Sequence, residues 1–219
     1  MKQMLRSPKT TATPASRILF RRLWLLFGVC SLVLGVLDLP LLAAPDRPIV
    51  EIVINGPISP ATDDYLRTSV DRAVEADARL LLIRLNTPGG LLNSMQTMVE
   101  TLLEAPLPTV VYVSPAGGGA ISAGVFITMA ANVAVMAPGT TIGAAHPVGG
   151  DGQDVQGDMR AKIENFTASL IKAIAEQRGR NVKWAEQAVR ESVAITDQEA
   201  VKEGVVDFVA ADLQKLIAE

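Results

Sequence analysis

The chain has 219 residues, 49% of them hydrophobic and only 4% aromatic, which indicates one α/β domain with a full core and excludes a disordered chain. Residues 1–44 carry six Lys or Arg and one acid, Asp38, so the rest of the chain carries 14 basic and 22 acidic side chains. That acidic body excludes nucleic acid as a partner, and the sequence has no zinc-type Cys/His spacing. The single cysteine, Cys30, excludes a disulfide within the chain.

Residues 1–45 have the charge and hydropathy pattern of an export segment. Basic residues continue to Arg22, an uncharged apolar run extends over 23–37, and the segment ends on Ala43 and Ala44. This order predicts a signal peptide, and an uncleaved N-terminal anchor is an equal alternative because residues 23–44 could span a bilayer. In either case the positive-inside rule places residues 46–219, the second predicted domain, outside the cytoplasm.

From Pro48 onward, apolar runs alternate with amphipathic stretches. The runs predict strands at 49–54, 80–85, 109–113, 133–136 and 205–209. The amphipathic stretches predict helices at 60–76, 91–103, 121–131, 161–178, 184–191 and 197–203, with one more at the C-terminus. Residues 149–158 contain one apolar residue and predict a mobile loop. Strands separated by helices of this length predict a mainly parallel sheet covered by helices.

Two glycine-rich turns each follow a buried strand and open a helix. The first reads Asn-Thr-Pro-Gly-Gly over 86–90, and the second is rich in glycine over 116–124 and contains Ser122. Backbone N–H groups at such turns can stabilise a negative oxygen without moving, and Ser122 would lie beside them. Tight strand-to-helix turns are the alternative interpretation of either turn alone. The second turn is not a phosphate loop, because it lacks the Gly-Lys-Ser/Thr ending.

Four motifs in order resemble the ClpP-class peptidases of the NfeD group, also called nodulation-efficiency or membrane-bound serine proteases. They are the Asn-Thr-Pro-Gly-Gly turn, the tripeptide Ser122-Ala123-Gly124, the segment MAPGTTIGA at 136–144 and the segment EAVKEGVVD at 199–207. The resemblance runs from about residue 50 to the C-terminus. It implies the ClpP/crotonase-like fold, an α/β architecture of repeated ββα-type units.

The resemblance also implies a mechanism and partners. Ser122 would be the nucleophile, Lys162 its base in a Ser-Lys dyad, and the N–H groups of Gly90 and Ala123 the oxyanion hole. Substrates would be hydrophobic segments of membrane-associated proteins such as stomatin-like proteins, the assembly would be a homodimer or larger, and neither metal nor organic cofactor is required. Long members of the group continue into membrane spans and a small β-barrel domain, whereas this sequence stops after the peptidase region.

Helical periodicity gives Lys162 separate support. Ile163, Phe166, Leu170 and Ile174 form one predicted apolar stripe, and Lys162 lies within about 70° of its centre, whereas Lys172 lies about 150° away. Burial beside apolar side chains favours the neutral amine that a general base needs. Snorkelling of Lys162 to water is the alternative.

His146, the only histidine, is a possible alternative base. It follows Ser122 by 24 residues, a separation similar to that between serine and histidine in ClpP, and Asp151, Asp154 or Asp158 could orient it. A histidine beside a Pro-Gly loop is more often a pocket or surface residue, so the sequence favours Lys162.

Two other functions compete with a peptidase. An acyl-CoA enzyme of the crotonase class uses the same two turns but usually needs a nearby catalytic acid, and no Asp or Glu occurs between Glu104 and Asp151. A non-catalytic scaffold that binds membrane partners would keep the fold and lose the chemistry.

Overall fold

A five-stranded parallel sheet runs through the described part of the chain, which in this computed structural model comprises residues 47–148 and 157–218. In spatial order its strands are β1 (Ile49–Asn55), β2 (Leu80–Asn86), β3 (Thr109–Val113), β5 (Val133–Met136) and β8 (Phe208–Val209). The first four confirm the predicted strands, and β8 is shorter than the predicted 205–209. The predicted export segment at 1–45 and residues 149–156 of the predicted loop lie outside the described residues.

A second, three-stranded sheet was not predicted. It consists of β4 (Gly119–Ile121), β6 (Thr141–Gly143) and β7 (Ala194–Thr196), with β4 and β6 parallel and β6 and β7 antiparallel. The prediction of a helix from residue 121 was therefore wrong at its start, because Ile121 is the last residue of β4 and the helix begins at Ala123. Strands of three residues are too short to show an alternating pattern.

Seven helices flank these strands within the described residues, and all of them were predicted with ends displaced by at most a few residues. They are α1 (Pro60–Glu75), α2 (Leu92–Glu104), α3 (Ala123–Ala130), α4 (Asp158–Arg178), α5 (Val182–Arg190), α6 (Asp197–Lys202) and α7 (Leu213–Ala218). None of these helices is long and apolar enough to cross a membrane.

The core lies on both faces of the five-stranded sheet. All five residues of β3 are buried, as expected for a central parallel strand with helices on each side. On one face, Ile83 and Val111 pack in a large cluster with residues of α1 to α5. On the other face, Leu82 and Tyr112 pack in a smaller cluster with Leu216 of α7. This arrangement holds the carboxyl ends of β2 and β3, where both glycine-rich turns begin, at one edge of the sheet.

Two arginines after the buried half of α4 satisfy the carbonyl end of the short helix α3. Arg178 donates from Nε to the carbonyl of Ala130 at 2.8 Å. Arg180, which is 7% exposed, donates to the carbonyls of Met129 and Ala131 at 3.2 and 3.3 Å and pairs with Asp207 at 3.0 Å. Because the last carbonyls of a helix have no intrahelical partner, these bonds fix α3 at its C-terminus.

We expect Arg180→Ala to lower the free energy of unfolding by about 3 kcal/mol, because it leaves buried carbonyls without a donor and Asp207 without its cation. Arg180→Lys should recover only part of the loss, since one ammonium cannot replace a planar fork of donors. Urea unfolding of the full chain measures both.

Arg190→Ala is the matched control, because Arg190 forms an ion pair with Glu164 at 3.3 Å in which its side chain is 42% exposed. Such surface pairs contribute at most about 1 kcal/mol. Equal losses for the Arg180 and Arg190 variants would contradict the role given to Arg180.

Candidate active site

The two glycine-rich turns are joined by backbone hydrogen bonds around Thr87. The N–H of Thr87 donates to the carbonyl of Gly119 at 2.8 Å, and the N–H of Ile121 donates to the carbonyl of Thr87 at 3.1 Å. The buried Thr87 hydroxyl also accepts from the N–H of Gly89 at 3.1 Å. These bonds make the two turns one rigid unit, and place the residues after β2 beside the residues before α3.

Gly90 and Ser122 line the same cavity, and the bonds around Gly90 fix the direction of its N–H. The N–H of Ile58 donates to the carbonyl of Gly89, and the N–H of Leu91 donates to the carbonyl of Ile58, so both groups flanking Gly90 face Ile58. In an extended segment successive N–H groups point to opposite sides. The N–H of Gly90 therefore points away from Ile58, toward the cavity that Gly90 lines. A side chain at position 90 would meet the backbone of Ile58, so only glycine fits.

Ser122 occupies a strained turn at the start of α3. Its φ and ψ are 54° and −114°, and its N–H donates to the carbonyl of Gly143 at 3.0 Å. A Cβ added to Gly89 would lie 2.6 Å from the Cβ of Ser122, so the first turn approaches the serine as closely as a glycine allows. Within the described residues neither the Ser122 hydroxyl nor the N–H of Ala123 has a hydrogen-bond partner. Both groups are free to interact with a ligand.

A cavity of about 1020 Å³ opens beside Ser122. No Asp, Glu, Lys or Arg of the described residues lines it, and most of its wall is apolar, with Leu91, Met95, Ile121, Phe126, Ala145, Val148 and Ile163 among the lining residues. The polar groups that it offers come from Asn93, Ser94, Ser122, Thr167, Ser192, His146 and backbone amides. A site with such walls suits an apolar ligand that is oriented by a few polar groups.

Backbone strain is concentrated at this cavity. Of the described non-glycine residues, four have positive φ, and three of these, Ser122, Ala144 and Ser192, line the cavity. A non-glycine residue in the left-handed region costs free energy, and such residues cluster where a site has to be held in one geometry. The strain was not predicted, since neither alanine nor serine signals a positive φ in a sequence.

His146 lines the same cavity as Ser122 and is half-buried. Its Nδ1 lies 3.0 Å from the carbonyl of Val189, and the N–H of Ala145 donates to the carbonyl of Ala188 at 2.8 Å. Both carbonyls belong to the last turn of α5, so His146 contributes to the C-terminal cap of that helix. With Nδ1–H as the donor to Val189, the lone pair of a neutral ring is on Nε2.

Lys162 is exposed and does not line the cavity. The buried side of α4 is formed by Thr167, Ala168, Ile171, Ile174 and Ala175, whereas Phe166 is 45% exposed. The predicted apolar stripe was therefore wrong at Phe166, which is exposed, whereas Ile163 and Leu170 are partly buried and Ile174 is buried. Lys162 consequently points away from the core of its own chain. The next residue, Ile163, lines the cavity, so the first half of α4 borders the site.

Within the described residues no group of His, Cys, Asp or Glu side chains could hold a metal ion. The sequence predicted neither metal nor cofactor.

Comparison with known proteins gives one family. The family model of the NfeD1b N-terminal domain matches residues 49–216. The chain is 34% identical over 165 residues to the membrane-bound protease PH1510 of Pyrococcus horikoshii, covering 75% of this chain and 37% of that protein. It is 29% identical over 164 residues to the membrane protein NfeD1b of Bacillus subtilis, covering 72% of this chain and 36% of that protein. The chain thus matches little more than a third of the length of either relative.

Solved structures share the fold. A lysine-to-alanine variant of 1510-N, a membrane-bound stomatin-specific protease, in complex with a substrate peptide, superposes with a TM-score of 0.75 at 30% identity, covering 80% of each chain. A serine-to-alanine variant of 1510-N gives a TM-score of 0.74 at 31% identity, covering 78% of this chain and 84% of that one. ClpP1 of Listeria monocytogenes superposes with a TM-score of 0.59 at 20% identity, covering 74% of this chain and 91% of ClpP1. The predicted ClpP/crotonase-like α/β fold is confirmed.

Proposed function

Because the chain belongs to the family of the NfeD1b N-terminal domain, we propose that it is a serine peptidase with Ser122 as its nucleophile. One observation carries this proposal: the Ser122 hydroxyl is unpartnered in the described residues, on a strained turn at the start of α3, and borders a large apolar cavity. Nucleophilic serines of α/β hydrolases occupy comparable strained turns at the N-terminus of a helix.

The backbone around Ser122 supports an acyl-transfer mechanism. The Ser122 oxygen attacks a peptide carbonyl, and the N–H groups of Gly90 and Ala123 donate to the oxygen that becomes negative. Both groups are fixed before the substrate binds, Gly90 by its bridge to Ile58 and Ala123 by the start of α3. The amine then leaves with a proton, and water releases the acyl group from Ser122.

We assign the role of general base to Lys162. Its support is the family: 1510-N has been crystallised as a serine-to-alanine variant and as a lysine-to-alanine variant, the latter with a substrate peptide. The two replaced residues of 1510-N are separated by nearly the same number of positions as Ser122 and Lys162. A lysine accepts the serine proton only when it is neutral, so the amine has to leave water to act.

Association of two copies would remove Lys162 from water. Met159, Lys162 and Phe166 follow one another at spacings of three and four residues and share one side of α4. Met159 is 57% exposed and Phe166 is 45% exposed, although both are large and apolar. We propose a homodimer, or a larger assembly built from it, in which this side of α4 is buried and Lys162 approaches Ser122 of its own chain or of the partner.

His146 is the alternative base, because it lines the cavity with Ser122 in the isolated chain. Its Nδ1 bond to Val189 selects the tautomer with a free Nε2, which is the tautomer that a base requires. A lysine base and a histidine base predict different pH dependences of the activity, so the pH profile distinguishes the two candidates.

The apolar walls of the cavity support a preference for hydrophobic peptide segments. The relative 1510-N is described as specific for a stomatin, which makes the tails of stomatin-like membrane proteins the substrates to try first. An acyl-CoA reaction is disfavoured, because none of the described residues that line the cavity is acidic. A non-catalytic scaffold would leave the unpartnered Ser122 hydroxyl and its strained turn without a role.

We further propose that residues 46–219 function outside the cytoplasm, delivered by residues 1–45 as a signal peptide or an anchor. The support is the charge asymmetry of the sequence and the membrane names of the two relatives. Fractionation of cells that express the untagged full chain measures this, and recovery in the cytosol would refute it.

We expect Ser122→Ala to abolish cleavage of apolar peptides and labelling by a fluorophosphonate, because the attacking oxygen is lost. The unfolding transition should be unchanged within about 0.5 kcal/mol, since only a half-buried hydroxyl is removed. Ser192→Ala is the control, because Ser192 is another serine of positive φ in the same cavity and should keep its activity. Full cleavage by the Ser122 variant would leave the scaffold as the better function.

We expect Lys162→Ala to lower kcat/KM at least about a hundredfold, and His146→Ala to lower it far less. Lys172→Ala is the matched control, since Lys172 is also an exposed lysine of α4. With a lysine base, activity should rise with pH beyond the range in which histidine titrates, about 6.5, because the protonated amine cannot accept a proton. An inactive His146 variant with an activity limb near that pH would replace the dyad by a histidine mechanism.

We expect Phe166→Asp to convert an assembled protein into monomers and to lower activity with it, because a carboxylate in a buried apolar contact is unfavourable. Sedimentation of the full chain in detergent measures the mass. Val74→Asp, on an exposed apolar residue of α1, should leave the mass unchanged. A monomeric native chain with full activity would refute the dimer.

A further inference from the structure

The first turn of α2 is open toward the cavity. The residue before the helix is Leu91, which has no side-chain group that could cap the helix, and the first turn contains no acidic residue. Within the described residues, the N–H groups of Leu92, Asn93 and Ser94 make no backbone hydrogen bond. By contrast, α5 and α6 begin with Asn181 and Thr196, whose side chains accept N–H groups of the first turn. The N-terminus of α2 is thus available to an anion.

A second observation at the same place is the Ser94 hydroxyl. Ser94 lies in this first turn, is only 4% exposed and lines the cavity. Its hydroxyl has no hydrogen-bond partner among the described residues. The residue as a whole is buried, but its unpartnered oxygen is reachable from the cavity, so a ligand atom in the cavity can bond to it. A hydroxyl beside three free N–H groups is a donor set that suits a carboxylate.

We propose that the first turn of α2 and the Ser94 hydroxyl form a carboxylate subsite next to Ser122, so that peptides with a carboxylate close to the cleaved bond are preferred. This inference rests on the proposed peptidase function and names its substrate class. Leu92 follows Gly90 by two residues, so the nearest N–H of the subsite and the N–H of Gly90 are at most about 7 Å apart. An extended peptide covers that distance in about two residues.

The charge of the cavity agrees with a carboxylate ligand. None of the described residues that line the cavity carries an acidic side chain that would repel the ligand, and none is a lysine or arginine, so His146 is the one titratable side chain among them. The helix α3 begins at the same cavity, so two helix N-termini contribute positive potential there. The carboxylate has two sources, the free C-terminus of a peptide or the side chain of Asp or Glu, and both present the same two oxygens.

The test uses three apolar peptides of one sequence: the free acid, the C-terminal amide, and an amide with Asp as its last residue. Calorimetry with the full-length Ser122→Ala chain measures binding without cleavage. We expect the free acid to bind at least about tenfold more tightly than the plain amide, as for a charge-assisted contact. Tight binding of the Asp-containing amide assigns the subsite to side chains as well, whereas weak binding assigns it to the C-terminus, and either result supports the subsite.

Variants of the first turn locate the effect. Ser94→Ala, introduced together with Ser122→Ala, should reduce the preference for the acid about fivefold. Thr97→Ala is the matched control, because Thr97 lies on the same helix with its hydroxyl bonded to the carbonyl of Asn93 outside the cavity. Leu91→Asp places a carboxylate where it accepts the same N–H groups and should abolish the preference, whereas Leu91→Met should keep it.

Equal affinity for all three peptides, or an undiminished preference in both the Ser94→Ala and Leu91→Asp chains, would overturn the subsite. The outcome is separate from that of the proposed function. A preference for the acid in the Ser122→Ala chain, without cleavage by the native chain, would retain the subsite and refute the peptidase. Cleavage of all three peptides with equal kcat/KM would retain the peptidase and refute the subsite.

Discussion

The site depends on the backbone hydrogen bonds that join the two glycine-rich turns at Thr87. Through them the residues after β2 and the residues before α3 become parallel neighbours, with Thr87 paired to Ala120. The first turn supplies the N–H of Gly90 and the second supplies Ser122, so neither turn alone makes a site. The contact is close enough that the Cβ of Ser122 occupies the space that a side chain at Gly89 would need. The strain of Ser122 is held by this packing, because a strained backbone persists only where the surrounding structure fixes it.

The polarity of the cavity comes from helix ends, backbone amides and a few neutral polar side chains, because the described residues that line it include no Asp, Glu, Lys or Arg. Fixed amides stabilise a developing oxyanion without reorganising, and they have a larger effect where apolar walls exclude water. Arg178 and Arg180 complete this arrangement from the opposite end of α3, where they bond its last carbonyls. Helix α3 has only eight residues, so bonds at both of its ends decide where Ser122 lies.

Sequence patterns predicted the parallel sheet and its helices because those elements are long and strongly apolar, as in the strand Leu80–Asn86. They did not predict the second sheet, whose three strands have three residues each and include glycines at Gly119 and Gly143. Ser122, Gly90 and Ala123 were predicted from motifs, and the structure brings all three to one cavity. The open first turn at Ser94 could have been inferred from Leu91, a poor helix cap, but a missing cap is a weak signal in a sequence.

The exposure of Lys162, which the sequence placed beside the apolar side of its helix, has a physical cause that bears on the mechanism. Periodicity identifies an apolar side of a helix, but it does not say whether that side faces the core of its own chain or another surface. In α4 the large apolar residues divide between two directions: Ile171 and Ile174 face the core, and Met159 and Phe166 face outward beside Lys162. Exposing large apolar side chains to water is unfavourable in free energy. Burial of Met159 and Phe166 against a second copy would remove this unfavourable exposure. A lysine in that contact loses water at the same time, which favours its neutral form. In this proposal assembly and activation of the base are one event, which explains why the isolated chain holds Ser122 and the N–H groups of the proposed oxyanion hole in place while Lys162 is still exposed.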